Sequence, residues 1–147
     1  MQDNSEASLA PSRAARIAGA VITGLFALLM GISGALYVVG PAPVVEGFHH
    51  LGYPQSFRTL LGIAKLLGVI AIVAGRRWPR LREWAYAGFT FDFIAASLAH
   101  LASGDGPTAI VPLVPLALLA ASYVLWHRPA RPFAAGVGGD ELPSPAP

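Results

Sequence analysis

An aspartate, Asp92, stands at the centre of an otherwise apolar run, residues 83–100, which reads EWAYAGFTFDFIAASLAH. A second charge, Lys65, interrupts another such run, residues 57–75, which also carries Arg58 near its start. A carboxylate and an ammonium in such surroundings can hold each other as an ion pair, pass a proton, or bind the polar head of a lipophilic guest. His100 follows Asp92 by eight residues, about 12 Å along a helix at 1.5 Å per residue. Further along the chain, VVEGFHHLGYP at 44–54 offers Glu46, His49 and His50. Glu and His one helical turn apart can ligate a metal. No tighter ligand motif accompanies them, so the expected reading is an interfacial helix with Val44, Phe48 and Leu51 lying on a membrane, solvated histidines and no metal site.

Which chemistry applies depends on the solvent around Asp92. The chain has 147 residues, of which 54% are hydrophobic and only 12% charged. Soluble domains carry roughly a quarter charged residues. The apolar residues gather in four blocks, 17–39, 57–75, 84–101 and 110–126. Each approaches the ~20 residues that a helix needs to cross a bilayer. None alternates as a strand would, and a lipid-spanning backbone must satisfy its own hydrogen bonds, so helices are expected. GPAP at 40–43, RRWPRLRE at 76–83, SGDGP at 103–107 and HRPARP at 127–132 separate or close them. Pro112 and Pro115, within or near the start of the fourth helix, are expected to kink it.

The basic residues give these helices a sidedness. Eight of the ten, Arg13, Arg16, Arg76, Arg77, Arg80, Arg82, Arg128 and Arg131, fall on one side of a four-pass chain. The positive-inside rule then places both termini in the cytoplasm. Trp78, Trp84 and Trp126 fall at the same boundary, where indoles prefer to sit. The net charge of +2 therefore reflects topology and not nucleic-acid binding. The expected fold is all-α, a four-transmembrane-helix bundle at 17–127, with a disordered cytoplasmic N-terminus at 1–16 and a disordered tail at 128–147. Its expected setting is a bacterial cytoplasmic membrane, with the lipid bilayer as first partner.

In that setting Asp92 cannot face water, and an ionised residue at a helix centre costs about 2.5–3.5 kcal/mol to insert. Lys65 lies roughly 12 Å below the outer end of its helix and Asp92 about 13–14 Å below the same end of the next. Small residues flank both: Gly62 and Gly68 near Lys65, and Ala85, Gly88, Ala95, Ala96 and Ala99 near Asp92. Such residues let helices approach closely. The two charges are therefore expected to meet, with His100 and Arg58 forming a polar funnel above them. Such a pair can fix helix register or serve as a working site, and the residue types do not choose between these.

HLGYP at 50–54, LGIAKLLG at 61–68, EWAYAGFTFDF at 83–93 and SLAHLASGD at 97–105 together resemble the DoxX-like family of small four-helix membrane proteins, over roughly residues 18–126. The resemblance implies that Lys65, Glu83, Asp92, His100 and Asp105 occupy family-typical positions. It also implies a link to membrane redox complexes, with a quinone as possible ligand and a membrane-associated oxidoreductase or a second copy of the chain as partner. The chain has no cysteine and no nucleotide-binding glycine motif. As an isolated chain it is therefore expected to be a non-enzymatic subunit or anchor that holds a quinone or another lipophilic ligand near Lys65 and Asp92. A small proton-coupled transporter and a purely structural bundle are the alternatives.

Overall fold

The computed structural model describes residues 13–127. The expected disorder at 1–12 and 128–147, with Arg128 and Arg131, lies outside the described residues. Within them the chain is helical: α1 (Arg13–Val39), α2 (Ala42–His50), α3 (Gln55–Val73), α4 (Pro79–Ala102) and α5 (Leu113–Trp126), with 3-10 turns at Ala74–Arg76 and Gly106–Ile110. By length and composition, α1, α3 and the stretch Gly106–Trp126 can each cross a membrane. The 24 residues of α4 extend about 36 Å at 1.5 Å per residue; Arg80, Arg82, Glu83, Asp92 and His100 make it less apolar than the other three.

Glycine and proline set the breaks. Gly40 ends α1 in the left-handed region, φ 71°, and its N–H donates to the Leu36 carbonyl at 2.8 Å. A left-handed glycine of this kind closes helices because it has no Cβ to clash. Pro79 stands in the first turn of α4, where its missing N–H would have no helical acceptor. The fourth span follows the same logic. Pro112 precedes α5 and Pro115 lies in its first turn, so the irregularity expected from them falls at the start of the helix, between the 3-10 turn Gly106–Ile110 and Leu113. At the other end of the sequence, residues 13–16 belong to α1 and not to a disordered arm.

The long helices form a ring: α1 packs against α3 and α5, and α4 packs against α3 and α5. α2 leans on α3 at the end remote from the two termini, called here the α2 end. The outward side is apolar. Ile17, Val21, Leu25, Leu28, Ile32 and Leu36 form an exposed stripe along α1, far more than a soluble surface carries and suited to lipid. Inside, Phe26 of α1 is fully buried. It meets Phe89 of α4 edge-on at 5.1 Å and Phe93 at 6.2 Å, and these two rings stack at 6.0 Å. Met30, Ile72, Tyr86 and Leu119 complete this core. The diagonal of the ring is thus bridged by aromatic side chains where the backbones stand apart.

The α1–α3 seam is the tightest. A Cβ on Gly62 would come within 2.8 Å of the Gly34 carbonyl and of Tyr37 Cβ, and one on Gly34 within 3.0 Å of the Gly62 carbonyl. The backbones touch there, which only paired small residues permit. Gly62→Ala is therefore expected to destabilise the protein by about 1–3 kcal/mol through overpacking. Gly31→Ala, where an added Cβ meets nothing within 4 Å, is expected to be neutral or slightly stabilising, since alanine favours helix. Thermal unfolding in detergent of both variants checks this; equal effects would contradict it.

Candidate functional site

The close α1–α3 seam brings Tyr37 beneath Lys65, and the α3–α4 contact brings Asp92 beside it. Lys65 Nζ lies 3.1 Å from Asp92 Oδ2. It also lies 4.6 Å from the centre of the Tyr37 ring and 5.8 Å from that of Phe93. Both residues of the pair are largely buried, 7% and 12% exposed. The ammonium is therefore held by one carboxylate and two ring faces.

This pair stands in the wall of a cavity of about 540 Å³ on the α2 side of the aromatic core. Met30 and Phe93 are shared with that core and form its floor. Ser33, Tyr37, Phe57, Leu61, Ala96 and Ala99 line its sides, and Phe48, Leu51 and Tyr53 its α2 end. His100 reaches it from α4. The walls are mostly apolar, with a few polar groups converging from Lys65, Asp92, Ser33 and His100, the usual make-up of a small-molecule site.

α2 does not lie on a membrane surface through Val44, Phe48 and Leu51 as expected. Phe48 is buried and meets Tyr37 edge-on at 4.9 Å, so the apolar face of α2 turns inward over the cavity. The end of α2 is pinned from across the bundle. Asp105, in the turn after α4, takes His50 Nε2 on Oδ1 and His100 Nδ1 on Oδ2, both at 2.6 Å. Since a carboxylate only accepts, each imidazole donates an N–H. Hydrogen bonds first from His100 and then from His50 hold the Asp105 carboxyl below its ordinary value of 3.8.

The other candidates separate from this group. Arg58 does not join His100 in a funnel. Its guanidinium donates to the Tyr37 carbonyl and, at 2.7 Å, to Gln55 Oε1, and it packs against Gly40. It thus satisfies an orphan carbonyl at the end of α1. Glu46 and His49 are exposed on α2. No cluster of three or more His, Asp or Glu among the described residues is placed to hold a metal.

A second polar cluster escaped the sequence reading. Arg82, counted there among the loop arginines, lies in α4 and is buried. It donates to the Tyr86 hydroxyl at 3.1 Å and lies 4.2 Å from the Trp126 ring. The Tyr86 hydroxyl meets Ser122 Oγ at 2.9 Å, Ser122 meets Thr23 Oγ1 at 2.6 Å, and Trp126 Nε1 donates to Thr23 at 3.1 Å. The signal lay in Arg82 and Tyr86 one turn apart, and in two hydroxyls, Thr23 and Ser122, inside charge-free helices. Nearby, His127 joins Glu83 at 2.8 Å.

A model described as the DoxX-like family matches residues 21–122, a stretch containing the whole Lys65/Asp92 site and the Asp105 clasp. No curated protein and no solved structure matches the chain.

Two outcomes are expected from this geometry. Asp92→Asn or Lys65→Met alone strands a buried charge, at a cost of about 3–5 kcal/mol for full burial, while the double variant loses less. Denaturation in detergent measures the cycle; additive losses would show that the two charges do not interact. For Asp105 the folded pKa is depressed. Its carboxylate therefore contributes stability above the ordinary 3.8, and that contribution is lost only as pH falls through the lower folded value. The advantage of the wild type over Asp105→Asn is expected to survive to about pH 4 and to vanish below it. Its disappearance already at about pH 5 would contradict the clasp.

Proposed function

The chain belongs to the DoxX-like family, and from that premise we propose that it is a membrane-embedded ligand-binding subunit whose guest sits against Lys65 and Asp92. The observation that supports this is the cavity itself, about 540 Å³ of mostly apolar wall with a buried ammonium and a carboxylate at its edge. A planar lipophilic molecule with a carbonyl oxygen fits the donor set. Lys65 offers it N–H protons, Tyr37, Phe48 and Phe57 offer ring faces, and the Asp92 carboxylate in the same wall can accept a hydrogen bond from a hydroxyl.

A quinone is such a molecule, and when bound it would supply the redox chemistry. Lys65 would orient its oxygen, Asp92 would hold Lys65 in position and accept or return a proton at its carboxylate, and Phe48 would exclude water from the α2 end. With no cysteine in the chain, an associated oxidoreductase is the proposed source or sink of electrons.

The proposed topology has α4 as a fourth span and both described ends in the cytoplasm. It is supported by Arg13, Arg16, Arg77 and Arg80 at one end of the bundle and the absence of Lys and Arg from residues 40–56 and 103–109. A reporter active only in the cytoplasm, inserted after Arg77 and separately after Gly104, checks it. Activity at Gly104, or none at Arg77, would defeat it.

The binding reading is tested on purified protein in lipid nanodiscs with menadione, a tail-less quinone ring. Saturable binding is expected, weakened about tenfold or more by Lys65→Met. Binding absent from the wild type would refute the reading. If the protein instead moves solute across vesicles without binding the ring, the carrier alternative takes its place.

A further inference from the structure

The cavity is not the only space that reaches the charged pair. On the outward α3–α4 seam lies a groove of about 210 Å³, lined by Ala64, Gly68, Trp84, Ala85, Gly88 and Phe89. It shares three residues with the cavity: Leu61, Lys65 and Asp92. The ion pair therefore stands between an interior chamber and a furrow on the outside of the bundle. From Asp92 the groove runs along α4 towards Trp84, which is 79% exposed. That is eight residues, about 12 Å at 1.5 Å per residue.

We infer that this groove holds the flexible hydrocarbon tail, prenyl or acyl, of the molecule whose polar head occupies the cavity. The inference rests on the ligand-binding reading above. A guest with a tail needs an exit from the chamber, which also opens between α1 and α5 past the exposed Leu29, Val111 and Val114. At the α2 end Phe48 is buried against Tyr37, and beyond it stands the clasp of His50, Asp105 and His100. That way out is blocked by an aromatic ring and rimmed with charge, which suits a hydrocarbon chain poorly. The α3–α4 seam reaches the same Lys65 and Asp92 from the other side, and it is apolar and open to the outside of the bundle. Its width comes from missing side chains, since a Cβ on Gly88 meets nothing within 4 Å. Its depth is set by Phe89, whose ring lies where a Cβ on Gly68 would go.

Gly88 supplies the test, because a side chain there fills the groove without striking the protein. Gly88→Leu, and separately Ala64→Leu on the opposite wall, are compared with wild type in nanodiscs. The two probes are menadione and the same ring carrying a four-isoprene tail. The wild type is expected to bind the tailed ring about tenfold or more tightly than the bare ring. Both variants are expected to lose that advantage and to bind menadione as the wild type does. Unfolding temperatures of the variants show that the bundle is intact, and either folded variant suffices. A tail advantage that survives both substitutions would overturn the proposal and place the exit at the α2 end or at the α1–α5 side. Equal loss of both probes would also overturn it, since the groove would then be inseparable from the head site. A wild type that binds the bare ring but prefers no tail refutes the tail groove alone. A wild type that binds neither refutes the underlying reading, and the groove with it.

Discussion

Two opposite charges in the middle of an apolar bundle cannot be left apart. In lipid an isolated Lys65 or Asp92 would have neither water nor a counter-charge, and several kcal/mol are at stake for each. The helices are arranged so that the charges meet. Gly34 and Gly62 bring α1 against α3, which places the Tyr37 ring under the ammonium. α3 and α4 pack side by side, which places Asp92 within 3.1 Å of it. The contact alone suits a register pin as well as a binding site; the mostly apolar cavity beside it is what supports the second.

The remaining layers support that one. On the side of the termini, the stacked Phe89 and Phe93 with Phe26 across them close the floor of the cavity. Beneath them, Arg82, Tyr86, Ser122, Thr23 and Trp126 join α4, α5 and α1 through buried hydroxyls. At the α2 end, Arg58 finishes α1, and Asp105 ties the last residue of α2 to α4. Hydrogen-bonded side-chain clusters thus stand at the two ends of the bundle, with the ion pair between them.

The parts of this that were legible in the sequence follow from scarcity. Charges are so rare in apolar helices that Lys65 and Asp92 stood out, and equal depth on successive helices was enough to expect them together. Gly and Pro marked the helix ends within a few residues, including the prolines at 112 and 115. There the same residue type can start a helix or kink one, and only position relative to the first turn decides. Arg82 was misread because an arginine beside a membrane boundary is ordinarily solvated. Its burial depends on Gly75, whose bare Cα lets the Arg82 stem pass, a tertiary fact with no local pattern. The inward turn of Phe48 and the joining of His50 to Asp105, 55 residues apart, depend on how the chain turns at Gly52 and Gly104. Periodicity along one helix carries no information about such turns.

The central claim is that the space beside Lys65 and Asp92 holds a molecule, and not merely that the two charges hold the bundle together. Ala96 lines that space without belonging to the pair, so Ala96→Leu fills the cavity and leaves both charges in place. Native mass spectrometry of the wild type and this variant, each released directly from its own membranes, is the most direct measurement. A small lipophilic molecule retained by the wild type and missing from a stably folded Ala96→Leu is the expected result. Bare protein with no adduct in both samples, or the same adduct on both, would contradict it.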